Sequence, residues 1–551
     1  MKVARLIGGA GTGKTTELLR IMENALQTLK DPTLLGFASF TRAARAEAVS
    51  RACAAWGVSE ELLSGKGWFR TVHSTVLRCL GSEADKIISD KKQDLEWISN
   101  IFGIKLSTEI DDMNGSTRYL GDRTIASSLS IWSRARVSLE PVDSLVRRYR
   151  RIDDSVPDYA KVVSVAERYE TAKRLDGRMD FEDSLLRFAG VRVSPRSGVS
   201  LCTPLGAVPA VSAWLFDEQQ DASPIVDLVC KRLVEAPTVK WCYVVGDPFQ
   251  SIYGFAGSSS KCFMAWPAEK ERIMPKSYRC PKPILALGEK CLADVDGYFD
   301  RGIAPADHDG KVTEINGIES IADIVKPDED WLLIARTNYH ARRIAAALNA
   351  SRKPFRWTNT GHDDTTDRAI GLTALWALEN GESITGHEWR AAMNLLPQKG
   401  SDGETYLIRG TRSQWNAKPE YVEKWDRIFP EDMPDVGATE LLVNRLRSGE
   451  WVKLVDRGSQ WREMVKRHGV KLASDPRVRI GTIHSAKGAE AENVVVLTAS
   501  SKIIADSAST DKEILDEERR LAYVAVTRAK RNLFIATDGI YAKTPRMEMP
   551  I

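Results

Sequence analysis

The apolar run Val3–Ile7 leads directly into the stretch Gly8-Gly9-Ala10-Gly11-Thr12-Gly13-Lys14-Thr15. This stretch fits the pattern G-x-x-x-x-G-K-[ST], in which a loop between a strand and a helix binds phosphate groups. Glycines allow backbone N–H groups to wrap around phosphates, and the helix that follows presents the positive end of its dipole. We therefore predict a nucleoside triphosphate site, in which Lys14 reaches the β- and γ-phosphates and the Thr15 hydroxyl binds Mg²⁺. The predicted nucleotide contacts in this segment are Gly8, Ala10, Gly11, Thr12, Gly13, Lys14, Thr15 and Thr16.

A second apolar run, Ala213–Phe216, ends in two acidic residues, Asp217 and Glu218. Carboxylates at the end of a buried strand suit a magnesium-dependent phosphate reaction, with Asp217 as the second predicted Mg²⁺ ligand. Glu218 can orient and deprotonate an attacking water, a role that a hydrolase needs and a kinase does not. The pair therefore favours hydrolysis of the nucleotide over transfer of its phosphate to a small molecule.

Apolar runs of this kind recur along the chain, and each is followed by a polar loop and a helical pattern. Further examples are Trp241–Val245, Trp331–Ala335 and Val494–Leu497. This alternation predicts an α/β fold with doubly wound parallel sheets, whose ligands bind at the carboxyl ends of the strands. Two mainly helical stretches interrupt the alternation, so we predict two α/β domains that each carry a helical insertion. The predicted bounds are 1–79 and 181–277 for the first α/β domain, 80–180 for its insertion, 278–368 and 474–551 for the second α/β domain, and 369–473 for its insertion.

The bulk composition excludes several classes of protein. A chain of 551 residues is too long for one hydrophobic core, because such cores stop growing near about 250–300 residues. Eight cysteines and seven histidines are scattered without metal-ligand spacing, which predicts reduced thiols and no zinc site. No apolar run approaches the roughly 18–20 residues of a membrane span, so we expect a cytoplasmic protein. The net charge of +3 neither supports nor excludes a nucleic-acid partner.

Several further motifs occur in a fixed order along the chain. After the phosphate loop come Phe37–Ala44, Thr71–Ser74, Met179–Asp183, Asp217–Asp221, Gly246–Tyr253, Ser277–Arg279, Gly481–Glu490 and Glu518–Ala529. In this order they resemble the motifs of the UvrD/Rep-like superfamily 1A DNA helicases. The resemblance extends from Gly8 to Arg531, and the two insertions add little to it.

The resemblance implies two RecA-like domains and an enzyme that hydrolyses ATP, with Mg²⁺, in order to translocate on single-stranded DNA. It implies 3′→5′ movement and strand separation at junctions between single-stranded and duplex DNA. A monomer on DNA is the expected form, with self-association and loading, replication or repair proteins left open as partners. Compact members of this family are frequent in phages, and a phage protein would act in the host cytoplasm.

The resemblance also implies roles for residues outside the phosphate loop. Gln250 would contact the γ-phosphate and the attacking water. Arg279 and Arg528 would act as arginine fingers on the γ-phosphate, and such fingers contribute about 10³–10⁵ in rate. Tyr278 would stack on the base, and Glu490 would contact the sugar. We expect both arginines to meet the phosphate loop across one shared nucleotide.

By the same resemblance, one group of residues would contact single-stranded DNA. The predicted base-stacking residues are Phe40, Tyr253 and Phe255, and the predicted hydrogen-bonding residues are Thr41, His73, Thr482 and His484. Each base that stacks on an aromatic ring contributes about 1–3 kcal/mol, whatever its identity. Tyr253 could instead belong to the core.

The sequence departs from the family in both the nucleotide and the DNA elements. Only Met1 and Lys2 precede the first strand, where the family carries a glutamine-containing segment that reads adenine, and Thr16 replaces an arginine. We therefore expect weaker discrimination between ATP and other nucleoside triphosphates. The segment Tyr253–Ala256 lacks two cations of the family pattern, which predicts lower DNA affinity unless Arg147–Arg151 compensates. The alternative for Arg147–Arg151 is a solvated helix face.

Other functions stay open at this point. A short second insertion could mean poor unwinding alone, so a translocase that removes bound proteins is an alternative to a helicase. An RNA motor is another, because backbone contacts barely inspect the 2′-hydroxyl. A nucleotide switch without turnover is disfavoured, since it would not need Glu218, Gln250 and two arginine fingers. The tryptophans of the second insertion, Trp376, Trp389, Trp415, Trp425, Trp451 and Trp461, are predicted to be core residues.

Overall fold

The computed structural model describes residues 2–39, 42–88, 92–105, 107–110, 117–358, 362–400, 403–537 and 547. The contacts among these residues divide the chain into two compact units. The first unit comprises 2–309 and 506–527, and the second comprises 310–505, 528–537 and 547. Residues 278–309 and 506–527, which we assigned to the second α/β domain, thus make their contacts within the first unit. The bounds of the insertions stay predictions.

The first unit is built on a sheet of six parallel strands. The strands of this unit are β1 (Lys2–Ile7), β2 (Leu35–Ser39), β3 (Trp68–Thr71), β4 (Ser107–Ile110), β5 (Thr117–Leu120), β6 (Val191–Ser194), β7 (Gly198–Leu201), β8 (Ala213–Phe216), β9 (Trp241–Gly246) and β10 (Lys270–Ile273). The parallel sheet has the order β10-β1-β9-β8-β2-β3, while β4–β5 and β6–β7 are separate antiparallel pairs. Because sequence neighbours are often not sheet neighbours, helices must cross over the faces of the sheet.

The helices of the first unit lie mostly between these strands. They are α1 (Lys14–Leu29), α2 (Arg42–Trp56), α3 (Val72–Leu80), α4 (Lys92–Phe102), α5 (Arg123–Ser138), α6 (Val142–Ile152), α7 (Tyr159–Leu175), α8 (Phe181–Ala189), α9 (Pro224–Leu233), α10 (Ser260–Met264), α11 (Lys282–Leu292) and, numbered after the helices of the second unit, α22 (Lys512–Val526). The first unit also contains short 3-10 helices at Pro32–Leu34, Gly81–Lys86, Gln219–Asp221, Pro248–Gln250 and Gly254–Ala256 and a π-helix at Glu61–Lys66, while a further 3-10 helix at Glu450–Lys453 belongs to the second unit.

The central strand β8 shows why its sequence is a continuous apolar run. Trp214 and Phe216 pack into one core cluster, which also contains residues of α3, α8 and α9. Ala213 and Leu215 pack into a second cluster on the opposite face, with residues of α1 and α2. A parallel strand covered on both faces has no polar side. Burial on both faces also fixes the carboxyl end of β8, from which the predicted acidic pair projects.

The second unit contains another six-stranded parallel sheet. Its strands are β11 (Lys311–Asn316), β12 (Trp331–Ala335), β13 (Arg356–Trp357), β14 (Val478–Thr482), β15 (Ala491–Leu497) and β16 (Ala529–Thr537), in the order β11-β16-β15-β12-β14-β13. The helices are α12 (Ile318–Ile324), α13 (Asn338–Ala350), α14 (His362–Glu379), α15 (Gly386–Leu395), α16 (Thr411–Ala417), α17 (Pro419–Glu423), α18 (Glu440–Arg447), α19 (Gly458–His468) and α20 (Val470–Ser474), and α21 (Lys502–Thr510) follows β15. The predicted fold class, α/β with two doubly wound parallel sheets and helical insertions, is confirmed.

Helices α14 to α20 enclose a core of their own. Trp389, Trp415, Trp451 and Trp461 are buried in it, and Trp376 and Trp425 pack against it. The prediction that these tryptophans are core residues is confirmed. Among the described residues, no helix has both the length and the apolar character needed to cross a membrane.

The first insertion carries the five-residue basic stretch Arg147–Arg151 on α6. Arg147 pairs with Asp143 at 2.5 Å, and Arg148 pairs with Glu140 at 3.0 Å. The Arg147 side chain is 70% exposed, so its ion pair lies in solvent. These contacts fit the solvated-face alternative for this stretch.

A buried charge cluster joins the first insertion to α8. Asp180 caps the N-terminus of α8 and accepts hydrogen bonds from Arg136 of α5 and Lys173 of α7, at 2.7 and 2.8 Å. Lys173 also donates to Asp183 at 2.6 Å. Although burial opposes it, the two cations hold the pKa of Asp180 below its ordinary value. The motif Met179–Asp183 therefore attaches three helices to one another through charge.

We expect Arg136→Met to lower the free energy of unfolding by about 3–5 kcal/mol, because it leaves buried carboxylates without one of their cations. Urea denaturation followed by tryptophan fluorescence measures this loss. Arg147→Met is the matched control, since it removes an exposed ion pair and should cost less than about 1 kcal/mol. Equal losses in the two variants would contradict the structural role of the cluster.

Candidate active site

The loop between β1 and α1 is folded back on itself. Gly8 N–H donates to the carbonyl of Gly246 at 2.9 Å, and the Thr12 hydroxyl donates to the carbonyl of Gly9 at 3.0 Å. Gly13 has a φ of 79° and precedes the first residue of α1. The Lys14 ammonium lies across the loop and donates to the Gly8 carbonyl at 3.0 Å. The loop thus presents a helix N-terminus and a lysine to the same place, which suits an anionic phosphate chain.

The segment Ser277–Arg279 packs directly on this loop. The Ser277 hydroxyl donates to the carbonyl of Ala10, and Tyr278 N–H donates to the carbonyl of Gly11, both at 2.8 Å. Gly11 has a φ of +67°, and a Cβ on it would lie 2.3 Å from the Cβ of Arg279. The Tyr278 ring is 70% exposed and lies beside Gly13. Two residues predicted for the nucleotide, Tyr278 and Arg279, are therefore next to the phosphate loop.

The predicted acidic pair follows β8. Asp217 is 3% exposed, and its backbone N–H donates to the carbonyl of Ala38 at 3.1 Å. Burial and the neighbouring Glu218 carboxylate raise the pKa of Asp217 to about 7, and the charge of Lys14 opposes this rise. A buried carboxyl group that lacks sufficient positive charge fits the chemistry of a divalent cation ligand. Thr15, the other predicted Mg²⁺ ligand, is half-buried in the first turn of α1.

Gln250 lies in the turn that follows β9 and is 5% exposed. Its side-chain amide donates to Asp247 at 2.9 Å, and Asp247 N–H donates to the side-chain carbonyl of Gln220 at 3.0 Å. The Gln220 amide in turn donates to the carboxylate of Glu218. Hydrogen bonds therefore connect the predicted water-orienting residues Glu218 and Gln250 by way of two intermediates.

Sequence reasoning missed two residues at this site, Arg301 and Tyr523. Arg301 is buried and donates to Asp247 at 2.7 Å. The Tyr523 hydroxyl donates to Asp247 at 3.1 Å and accepts the Ala10 N–H at 3.1 Å. Tyr523 belongs to the motif Glu518–Ala529, which pointed to Arg528 alone, while Arg301 belongs to none of the motifs. Only the position of Tyr523 inside a motif could have suggested it.

Arg528 and Glu490 lie in the second unit, close to each other. The Ala491 N–H donates to the carbonyl of Arg528 at 3.2 Å, and the Arg528 guanidinium donates to the carbonyl of Ala489 at 3.3 Å. Arg528 is 2% exposed. Glu490 forms an ion pair with Lys530 at 2.7 Å. The predicted meeting of Arg528 with the phosphate loop stays a prediction.

Among the DNA candidates of the first unit, Phe40 and Thr41 lie outside the described residues. His73 lies in the first turn of α3, at the carboxyl edge of the sheet, where burial lowers its pKa to about 4. Its imidazole is therefore neutral at physiological pH. Tyr253 is 5% exposed, while Phe255 is 55% exposed, and their ring centroids lie 6.1 Å apart with the ring planes at 66° to each other. The structure thus leaves Phe255 accessible and places Tyr253 in the interior.

The DNA candidates of the second unit lie where β14 ends. Thr482 is the last residue of β14, and the next residue, Ile483, donates its N–H to the carbonyl of Ala335 at the end of β12 at 3.0 Å. This bond brings the exits of the two strands together, so that His484 lies at the same edge as the start of α13. Tyr339, in the first turn of α13, is 67% exposed. It is an accessible aromatic residue that sequence reasoning missed, since no motif contains it.

The comparison with known protein families agrees with this geometry. Residues 2–270 match the UvrD/REP helicase N-terminal domain, and residues 463–538 match the UvrD-like helicase C-terminal domain. The chain belongs to the UvrD/Rep-like helicase family. This membership confirms the resemblance drawn from the motifs, the two RecA-like domains and the enzyme class, an ATP-hydrolysing helicase.

This UvrD/Rep-like helicase is similar to several curated proteins. A putative ATP-dependent DNA helicase, YjcD, of Bacillus subtilis is 24% identical over a match that covers 58% of this chain and 51% of the relative. The ATP-dependent DNA helicase UvrD1 of Mycobacterium tuberculosis is 22% identical, with 96% of this chain and 80% of the relative covered. The ATP-dependent DNA helicase PcrA of Staphylococcus aureus is also 22% identical, with 99% and 83% covered.

Gly11→Ala is expected to weaken ATP binding by about tenfold or more, because the loop would have to shift away from Arg279 and accept a strained φ. Titration with a fluorescent ATP analogue measures the affinity. Gly297→Ala serves as the control, since Gly297 has a φ of +73° with no atom within 4 Å of the added Cβ. It should lose stability and keep its nucleotide affinity. Unchanged affinity in Gly11→Ala would show that the close packing is dispensable.

Proposed function

We propose that this protein uses ATP hydrolysis to translocate 3′→5′ on single-stranded DNA and to separate the strands at junctions between single-stranded and duplex DNA. The observation that carries the proposal is the packing of Tyr278 and Arg279 on the phosphate loop, with the buried Asp217 at the carboxyl end of another strand of the same sheet. A protein that only held a nucleotide would not need, in addition to Lys14 and Asp217, a second acid such as Glu218 that can take a proton from water.

The proposed hydrolysis assigns one task to each group. Lys14 binds the β- and γ-phosphates, and Thr15 and Asp217 hold Mg²⁺, which would neutralise phosphate charge. Glu218 takes a proton from the attacking water while Gln250 orients it. Arginine fingers stabilise negative charge on the transferred phosphoryl group.

Residues of three further segments complete the proposed nucleotide site. Arg279 supplies the first arginine finger, and Tyr278 stacks on the base. Arg528 supplies the second finger, and Glu490 contacts the sugar. A cation from a second domain would make hydrolysis depend on the arrangement of the domains. This dependence would couple ATP hydrolysis to translocation.

The proposed DNA track follows the carboxyl edges of the two sheets. In each unit one exposed aromatic residue lies at that edge, Phe255 in the first and Tyr339 in the second. Bases of any identity stack on such rings, and His73, Thr482 and His484 add hydrogen bonds. Tyr339 gives the second sheet a stacking position in addition to the residues that the motifs predicted. Tyr253, being buried, would support Phe255 from below instead of contacting a base.

Glu218→Gln is expected to lower kcat for ATP hydrolysis by about 10²–10⁴, because the amide cannot accept the proton of the attacking water. ATP binding should be retained. A coupled ATPase assay with single-stranded DNA, duplex DNA or RNA as stimulant measures the rate, and Lys14→Ala provides the inactive reference. Stimulation by RNA alone would overturn the choice of DNA as substrate.

The polarity is tested by strand displacement on duplexes with a 3′ or a 5′ tail. Wild type should displace the strand on the 3′-tailed duplex, and Lys14→Ala should displace neither. Displacement of 5′-tailed duplexes alone would reverse the proposed direction. ATP hydrolysis without displacement on either substrate would favour a translocase that removes bound proteins.

Tyr339→Ala and Phe255→Ala are each expected to weaken binding to an oligo-dT strand by about 1–3 kcal/mol, since each removes one stacking position. Fluorescence anisotropy at one fixed salt concentration measures the affinity. Tyr339→Phe should retain it, because the ring remains. Phe429→Ala, which removes a 40% exposed ring in the second insertion, is the matched control. Equal affinity of Tyr339→Ala and Phe429→Ala for the oligo-dT strand would show that Tyr339 does not contact the DNA.

A further inference from the structure

Asp247 lies at the centre of a buried hydrogen-bond network within the first unit. It is fully buried and accepts four hydrogen bonds, two on each carboxylate oxygen. Oδ1 accepts from the Phe249 N–H at 3.1 Å and from Arg301 at 2.7 Å. Oδ2 accepts from Gln250 at 2.9 Å and from the Tyr523 hydroxyl at 3.1 Å. A carboxylate has about four acceptor sites, so every site of Asp247 is used and its position is fixed.

This saturation determines how the Gln250 side chain is turned. A carboxylate only accepts hydrogen bonds, so the NH₂ end of the Gln250 amide must face Asp247. The carbonyl end of the same amide therefore points away from Asp247. A carbonyl oxygen is an acceptor, which is the group needed to hold the hydrogen of an attacking water. If Asp247 moved, the Gln250 amide could rotate and offer its donor end instead.

The Tyr523 hydroxyl is saturated in the same way. It donates to Asp247 and accepts from the Ala10 N–H at 3.1 Å and from Arg301 at 3.3 Å. A hydroxyl has one donor and two acceptor positions, so all three are used. Tyr523 therefore ties the phosphate loop to the turn that carries Gln250. Burial raises the pKa of Tyr523, so the phenol keeps the proton that it donates.

Arg301 holds the other side of the network. Its guanidinium is fully buried and joins Asp247, Tyr523 and Glu289, with the Glu289 contact at 2.5 Å. Glu289 lies on α11 and Tyr523 on α22, two helices that pack together. The network is therefore anchored to α11 and α22, two helices that are far from the phosphate loop in the sequence.

We propose that Tyr523 and Arg301 are positioning residues for ATP hydrolysis: together they hold Asp247 so that Gln250 presents its carbonyl oxygen to the attacking water at a fixed distance from the phosphate loop. The proposal rests on the ATP hydrolysis proposed above. The hydrogen-bond network extends through Asp247 N–H and Gln220 to Glu218. The acid that receives the proton and the amide that orients the water therefore belong to one network.

The test is Tyr523→Phe, which removes only the hydroxyl and keeps the buried ring. We expect kcat for ATP hydrolysis to fall about 10- to 100-fold, as for the loss of a hydrogen bond to a charged group at a reacting centre. The affinity for a non-hydrolysable ATP analogue should change far less, because Lys14 and the loop glycines are intact. An unchanged kcat in a folded variant, or equal losses in affinity and kcat, would overturn the proposal.

A double-mutant cycle separates positioning from general loosening of the site. In a Gln250→Ala background, Tyr523→Phe should have little further effect on kcat, because the side chain through which it acts is gone. Additive losses would mean that Tyr523 acts in another way, and would overturn the proposal. Wild type without ATPase activity would refute the proposed function itself, whereas an active wild type with additive losses would refute only this inference.

Arg301 is tested by Arg301→Lys, which keeps one positive charge but cannot reach Asp247, Tyr523 and Glu289 together. We expect a lower kcat with thermal unfolding close to wild type. Arg196→Met, which removes an ion pair on the surface of the same unit, is the matched control and should leave kcat unchanged. If Arg301→Lys and Arg196→Met have the same kcat, Arg301 has no positioning role.

Discussion

The carbonyl oxygens of Ala10 and Gly11 accept hydrogen bonds from the Ser277 hydroxyl and the Tyr278 backbone, which lie 267 residues further along the chain. A glycine-rich loop has many accessible conformations and little preference among them. Holding its carbonyls from outside orients the peptide planes, and in a trans peptide the N–H then points to the opposite side. These two bonds therefore select the conformation in which a phosphate can be bound. The acidic pair and Gln250 can serve hydrolysis only if they lie at fixed distances from the loop in that conformation.

Two buried charge networks in the first unit are built in the same way. Asp180 caps α8 and is held by Arg136 and Lys173, while Asp247 caps a 3-10 turn and is held by Arg301. Removing charges from water is costly, so such groups are retained where each has its full set of partners. One network attaches the helical insertion to the sheet domain, and the other includes Gln250, the glutamine proposed to orient the attacking water. In both cases an arginine comes from a segment far away in sequence, 44 residues before Asp180 and 54 residues after Asp247, whereas Lys173 lies only 7 residues before Asp180.

The residues predicted to contact DNA show that a motif position alone does not decide whether a side chain is accessible. The pattern predicted two aromatic residues at Tyr253 and Phe255, yet only Phe255 is accessible. Two aromatic residues spaced by one position in an irregular turn can face opposite ways, and the packing of the turn decides which is buried. Tyr339 could not be found from a motif, because its accessibility follows from the way α13 begins beside the end of β14. For Phe40 and Thr41, which lie outside the described residues, the predictions stand as they were made.

The sequence by itself determined the phosphate loop, the acidic pair, the two parallel sheets and the family. Each of these depends on residues close together in the chain: a glycine pattern, an apolar run that ends in carboxylates, or an alternation of strands and helices. The tertiary structure alone decided that Arg301 and Tyr523 surround Asp247 and that residues 278–309 pack with the first unit. The physical reason is that a buried carboxylate must be matched by donors, but those donors can come from any part of the chain. No pattern of sequence spacing predicts which segment supplies these donors, so only the folded chain shows their origin.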